Sequence, residues 1–477
     1  MLKSKTIVPI HVVDSLSPDT IVISEELMKQ QGIPRAQHIS LQFGVAKQSV
    51  HVLPDHKKQG LSMHSRLAQL LSIPQINKEL KLALSYQEQQ TTLKLGPLIA
   101  VMINKETTDN LEQPFGNISA FCLELVEACV KNGAFVYFFT PQAITTYGTV
   151  MSGWTFDEEW RKLILPLPEV IYNRLPNRKA EGQLQVQKLI NETSRYYDIS
   201  IFNERFLDKH EVFDILADHE AVKQYLPESE LLTSYEQLEK FINEHRVAYV
   251  KPIQGSLGRG IIRITAQPNS TYSLERAVTT TQKASNFTSL KRLYLALKPQ
   301  LAKRKYQIQQ GLSLIQQGRR PVDFRALVQK NGQGQWSITS VVARTAGNDN
   351  FVANLARGGS IDSVLNTLPH TNLDKHISYD TIKHSLKAIA LTIANALDER
   401  VDGHFAEFGV DLAVDVQGDI WLIEVNSKPS KVNRSSLSKK IRPSVRMLVA
   451  YANHLSGFRE RRHSHGKVKS RRNRRKD

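Results

Sequence analysis

Three side chains able to ligate a hard cation fall in one short segment, FAEFGVDLAVDVQGDIWLIEVNSKP (405–429). GVDLAV reads as an alternating strand, QGD as a turn and IWLIEVN as a second strand, whose apolar run is interrupted by Glu424. A carboxylate there costs free energy unless it is paired, hydrogen-bonded or bound to a cation. Asp411 can sit opposite Glu424 across the hairpin. Glu424 and Asn426 are two residues apart and so face one side of the sheet. Asp411, Glu424 and Asn426 together offer the oxygen ligands that suit Mg2+, with the remaining positions left to water and phosphate. An ordinary acidic pair on a polar sheet face would read the same in isolation. No Cys or His cluster accompanies them, which disfavours zinc. Asp415 and Asp419 are expected as solvated turn residues.

A second segment, RVAYVKPIQGSLGRGIIRIT (246–265), is suited to phosphate. A strand ends at Lys251, and a loop with Gln254, Gly255, Ser256, Gly258 and Gly260 leads into another strand. Glycines let backbone N–H groups approach phosphate oxygens closely, and Lys251 adds a point charge. The loop is not a Walker A motif, because no Gly-Lys-Ser/Thr follows and a strand comes next. The HRD and DFG motifs of protein kinases are absent. Taken alone, the segment reads equally well as a flexible turn.

Between these segments, the strand DFRALV (323–328) carries Arg325 and WSITSVVAR (336–344) ends on Arg344. Arginines on adjacent strands facing one cleft need anions, which phosphates supply, although each arginine alone reads more simply as a surface salt bridge. The following DNFVANLARGGSI (349–361) places Asn354, Arg357, Gly358 and Gly359 in a loop open to close approach by a ligand. His219 and His404 could serve as bases but read more simply as exposed or structural histidines.

The elements that must hold these residues are legible in outline. Residues 1–92 alternate as short strands (20–24, 38–44, 48–54), then show a helical pattern at 64–71 and a Gln- and Thr-rich linker at 85–92. They read as a small β-rich domain. In 96–202, LIAVMI (98–103), the helix GNISAFCLELVEACVKNG (116–133) and AFVYFFT (134–140) make a parallel βαβ unit, and EVIYNRLPNR (169–178) adds a strand and loop. This Rossmann-like segment lacks the dinucleotide glycine fingerprint. Residues 203–458 carry the chemistry, and 459–477 form a basic tail. The fold class is α/β (α+β).

The chain has 477 residues, 41% of them hydrophobic, enough for several buried cores. Cys122 and Cys129 lie seven apart on one helical face, which suits small buried groups in a reducing interior rather than a disulfide framework. The N-terminus shows no signal peptide and no apolar run is long enough to span a membrane. The net charge is +17, and 459–477 holds ten Lys/Arg against two acids, a net of +8. So basic a tail is expected to be disordered and could meet nucleic acid, a phosphate-rich surface or an acidic protein, or simply aid solubility.

In this order the features resemble the ATP-grasp superfamily: a lysine strand, a glycine loop, an arginine strand, an NLxRGGS-like loop and an Asp…Glu-x-Asn hairpin. Residues 323–428 are similar to the ribosomal-protein glutamate ligases. The β-rich N-terminal part and the QQG hinge resemble the YheC/YheD group of endospore coat-associated ATP-grasp proteins of bacilli. The resemblance covers about 205–458 closely and 1–200 in general layout. It implies nucleotide contacts from Lys209, Lys251 and the hinge residues Gln309, Gln310 and Leu312, with the hinge backbone reading adenine. It implies phosphate and acyl-phosphate contacts from Arg325 and Arg344. The metal ligands would be Asp411, Glu424 and Asn426, and the substrate-side loop would use Asn354 and Arg357. The hinge QIQQGLSLIQQGRRPV (307–322) departs from many relatives in carrying no acid for ribose or adenine.

The implied activity is an ATP- and Mg2+-dependent carboxylate–amine (or carboxylate–thiol) ligase working through an acyl phosphate, with Mn2+ as an alternative metal. The expected partners are ATP, a carboxylate and an acceptor amine of unknown identity, and an anionic surface or spore-coat partner for the tail. The expected location is the cytoplasm or the spore coat. A nucleotide-binding structural protein of the coat, without turnover, is the competing reading.

Overall fold

The computed structural model describes residues 5–35, 37–56, 59–144, 148–253, 260–276, 284–347, 359–431 and 440–458. Among these residues the chain is mixed α/β and lays down one barrel and three open sheets.

The N-terminal strands alternate apolar and polar residues, as sequence predicts. Ile21 and Ile23, Ile39 and Leu41, and Val50 and Val52 turn inward and are buried. Seven strands close into a barrel because Thr6–Val13 pairs on one side with Leu61–His64 and on the other with Lys81–Gln87. The stretch expected as a linker at 85–92 instead contributes to the last two strands, Lys81–Gln87 and Thr92–Gly96. Its leucines explain this. Leu82 and Leu84, like Leu93 and Leu95, stand two apart and so share a face of their strand, and all four are buried.

The next sheet sets Leu98–Met102, Phe135–Phe139, Val170–Asn173 and Ser200–Phe202 in parallel, with the hairpin Val150–Asp157/Glu159–Pro166 on one edge. Strands this uniformly apolar need cover on both faces. Leu98, Ala100 and Met102 pack towards the barrel, whereas Ile99 and Val101 pack towards the helices Ser119–Lys131 and Pro443–Leu455. Cys122 and Cys129 are free and lie on the buried face of the first of these helices, as their spacing predicts. Gly133 ends the helical segment at φ +66, where a Cβ would lie 2.7 Å from the Ala83 backbone nitrogen.

Two further sheets follow. One is antiparallel, runs from Ser229–Leu232 through Tyr306–Gln310 and Val247–Pro252 to Ser285–Phe287, and shares a core with helices Tyr235–His245 and Leu290–Leu301. The other orders Ser360–Ser363, Trp336–Thr345, Arg320–Lys330, Glu407–Val414 and Ile420–Asn426, and shares a core with helices Lys209–Ala217 and Tyr379–Arg400. Capping boxes begin two of these helices, Asp208 with Glu211 and Ser234 with Gln237.

Candidate active site

Lys209 is the first residue of its helix because Asp208 caps the turn, accepting from His210 N at 2.9 Å. Its own amide donates to Ile253 O at 3.4 Å, which fixes the helix start against the end of the Val247–Pro252 strand. Its ammonium reaches across to Glu424 Oε2 at 2.7 Å. One lysine thus joins elements from both sheets.

Glu424 is where the hairpin pattern places it. Asp411 and Glu424 are register partners, with a β-bulge just beyond them. Asn426 Nδ2 donates to Glu424 Oε1 at 3.1 Å. Burial alone would raise the Glu424 pKa, but the Lys209 charge, hydrogen bonds from Lys209 and Asn426, and the Arg325 charge hold it well below the usual carboxylate range. The group is therefore an anion across the physiological range. Asp411 Oδ2 accepts from Arg325 Nη2 at 2.7 Å, and Arg325 Nε bonds the other carboxylate oxygen. Arg344 Nη2 lies 3.0 Å from the same Oδ2.

Asp323 completes this cluster. Arg344 Nε and Nη2 donate to its two oxygens at 2.5 and 2.7 Å. Burial opposes the Arg344 charge, but Asp411 and Asp323 outweigh it and keep the guanidinium protonated. Sequence reasoning missed Asp323, although it is two residues from Arg325 on the same strand and so shares its face.

Lys251 lies behind this group and donates to Gln309 Oε1. Burial, then the neighbouring Lys209 charge, lowers its pKa to about 7, against the pull of Glu424. Gln309 is buried, so the hinge strand contributes a side chain as well as backbone. Gln310 and Gly311 donate their amides to Glu228 O and Val247 O, both at 2.9 Å, and Leu312 carries the next hinge N–H.

Gly260 (φ +77) and Gly359, which precedes the Ser360–Ser363 strand, are in the described structure. Gln254, Gly255, Ser256 and Gly258 of the glycine loop lie outside the described residues, as do Asn354, Arg357 and Gly358 and the tail 459–477.

Two expectations need correction or refinement. Asp415, expected as a solvated turn residue, is buried. Its Oδ1 accepts from Gln417 N and Asp419 N at 3.1 and 2.9 Å, and its Oδ2 accepts from Trp421 Nε1 at 2.8 Å. The carboxylate organises the hairpin turn, while Asp419 is exposed. His404 pairs with Tyr451 OH at 2.6 Å, and burial lowers its pKa, which fits a structural histidine.

The chain just past Asn426 is anchored by buried ion pairs that the sequence did not reveal. Ser427 O accepts from Asn203 Nδ2 at 2.7 Å. Lys428, whose side chain is 1% exposed, pairs with Glu181 of the Rossmann-like segment. Lys431 Nζ meets the fully buried Glu407 at 2.5 Å, and Glu407 also bonds Tyr172 OH and Gln329 Nε2.

Two sheets that meet over Lys209, Lys251 and the Asp411–Glu424 hairpin define an ATP-grasp protein. The chain belongs to the YheC/D-like ATP-grasp family, whose model matches residues 198–455. It is 30% identical over 428 residues to the endospore coat-associated protein YheD of Bacillus subtilis (strain 168), covering 88% of this chain and 89% of YheD. It is 24% identical over 278 residues to YheC of the same organism, covering 57% of this chain and 73% of YheC. Among solved structures, VanG D-Ala:D-Ser ligase from Enterococcus faecalis is similar at a TM-score of 0.45 and 13% identity, over 76% of this chain and 99% of that one. No helix among the described residues is long and apolar enough to cross a membrane.

Proposed function

We propose that the protein is an ATP- and Mg2+-dependent ligase that activates a carboxylate as an acyl phosphate and passes it to an amine or thiol. One observation supports this above the others. Two carboxylates and a carboxamide on paired strands adjoin four basic side chains, Arg325 and Arg344 from one sheet, Lys251 from the other and Lys209 from the start of a helix.

The residues fit the metal. Asp411, Glu424 and Asn426 offer only oxygen and amide donors, and Glu424 stays ionised, as a hard cation requires. A bound Mg2+ would neutralise phosphate charge and hold the phosphates in line. In this reading Lys209 and Lys251 bind the nucleotide phosphates, and Arg325 and Arg344 neutralise charge developing on the transferred group. The carboxylate oxygen attacks the γ-phosphorus as the bond to ADP breaks. The amine then attacks the acyl carbon, phosphate leaves and the nitrogen loses its proton to solvent. The hinge backbone at Gln309, Gln310 and Leu312 is assigned to the nucleotide base. The glycine loop (Gln254, Gly255, Ser256, Gly258, Gly260) covers the phosphates, and the loop with Asn354, Arg357, Gly358 and Gly359 faces the carboxylate substrate.

The names of the relatives favour association with the spore coat, and the basic tail offers a contact for an anionic partner there. They also keep a second reading in play, a coat structural protein that binds nucleotide without turnover. Hydroxylamine trapping separates the two. Incubation with Mg2+, ATP and pooled amino acids and wall peptides should yield a hydroxamate from one pool. Nucleotide binding with no hydroxamate and no ADP formation would favour the structural reading.

A further inference from the structure

The barrel, the Rossmann-like sheet and the last helix leave a cavity of about 360 Å3 where they meet. It is lined from the barrel by Gln42, Lys47 and Lys94, from the Rossmann-like segment by Glu169 and Asp198, and from the end of the helix Pro443–Leu455 by Leu455. This places the cavity away from the centre described above. Glu169 immediately precedes the strand Val170–Asn173, whereas Asn173 and Arg174, at the other end, face the elements around Glu204 and Glu407. Four residues of strand separate the two edges, about 13 Å.

Glu169 is the unusual group. It is 7% exposed, and its Oε2 accepts from Leu98 N at 2.8 Å. Its Oε1 is buried with no hydrogen-bond partner among the described residues. An unsatisfied buried carboxyl oxygen is costly, and such a group is commonly completed by a ligand or water. Burial pushes the Glu169 pKa up to about 7, while Lys94 pulls it down. Lys94 Nζ is held by Ser456 O at 3.3 Å, and Lys47 is exposed at the rim. The wall therefore presents carboxyls (Glu169, Asp198) and ammoniums (Lys94, Lys47) around one volume of small-molecule size.

We propose that this cavity binds a small zwitterion carrying both an amine and a carboxylate, of amino-acid to dipeptide size. The amine completes Glu169, with Asp198 beside it, and the carboxylate meets Lys94 and Lys47. Because three parts of the chain line the cavity, occupancy ties the barrel to the Rossmann-like sheet and the last helix.

The test is calorimetric titration of the full chain with glycylglycine and with each of the twenty common L-amino acids, followed by the N-acetyl and amide forms of any that bind. At least one zwitterion should bind saturably, and blocking either charged end should weaken it tenfold or more. Glu169→Gln should weaken it similarly. Lys94→Gln and Asp198→Asn, which alter less buried positions, should do the same if Glu169→Gln fails to fold. Absence of saturable binding by every probe would overturn the proposal. So would binding that survives Lys94→Gln and Asp198→Asn unchanged, because the probe would then occupy another site, the ligase centre included.

Discussion

Arg325 and Asp411 are register partners on adjacent antiparallel strands, and the guanidinium clasps the carboxylate with two hydrogen bonds. The same carboxylate also contacts Arg344. Asp411 is thus the shared counter-ion of both arginines, in a site where it is 3% exposed. Asp411→Asn should destabilise the fold by about 3–5 kcal/mol, the usual result of removing one partner from a buried ion pair. Chemical denaturation would measure it. A loss well under 1 kcal/mol would mean that the arginines find other anions.

Glu424→Gln separates stability from chemistry. Glutamine can still hydrogen-bond Lys209 and Asn426, so the fold should persist. The anionic ligand is lost, and Mg2+-dependent ATP turnover should fall by roughly 100-fold or more. Wild-type turnover in this variant would show that the metal assignment is wrong.

Lys251 predicts a pH dependence. Its pKa is lowered to about 7 by burial and by Lys209, so it is charged below that pH and neutral above it. Phosphate favours the charged form, so nucleotide affinity should fall as pH rises from 6 to 8.5. Lys251→Arg, charged throughout, should flatten the profile. Lys251→Ala should weaken binding about 10- to 100-fold at pH 6.5, the worth of one charge-assisted hydrogen bond. Unchanged affinity in that variant would count against the phosphate role.

Lys431→Met tests the anchor behind the Asp411–Glu424 hairpin. It leaves Glu407, 0% exposed, without one of its cations. The expected loss is about 3–5 kcal/mol of stability. The double variant Lys431→Met/Glu407→Leu should recover much of it. Failure of the double variant to recover would point to Arg174 and Tyr172 as dependents of Glu407.

Deleting 459–477 removes ten Lys/Arg and two acids. Any binding to a polyanion such as heparin should weaken steeply with salt and vanish in the truncated chain. Binding that persists would place the basic contact elsewhere.

The sequence revealed what is local. Period-2 alternation located three of the barrel strands, near 20–24, 38–44 and 48–54, and the spacing of Glu424 and Asn426 placed them on one sheet face opposite Asp411. It could not reveal closure of the barrel, because Thr6 and Leu84 are far apart in the chain yet pair. The Gln- and Thr-rich residues near 85–92 read as linker because half of a barrel strand faces water. Lys428–Glu181 and Lys431–Glu407 were silent because their partners lie 247 and 24 residues apart in the chain. A buried ion pair leaves no periodic signal when its partners come from different layers. Asp323 was legible in principle, since its face follows from that of Arg325.

The role proposed for the Lys209–Glu424 centre is ATP-dependent carboxylate activation. The most direct measurement is phosphate release by the purified full-length chain with Mg2+ and ATP, screened against pools of amino acids and spore or wall peptides. One pool should stimulate release, and Glu424→Gln should abolish the stimulation. ATP binding without stimulation by any pool, or stimulation that survives Glu424→Gln, would contradict that role.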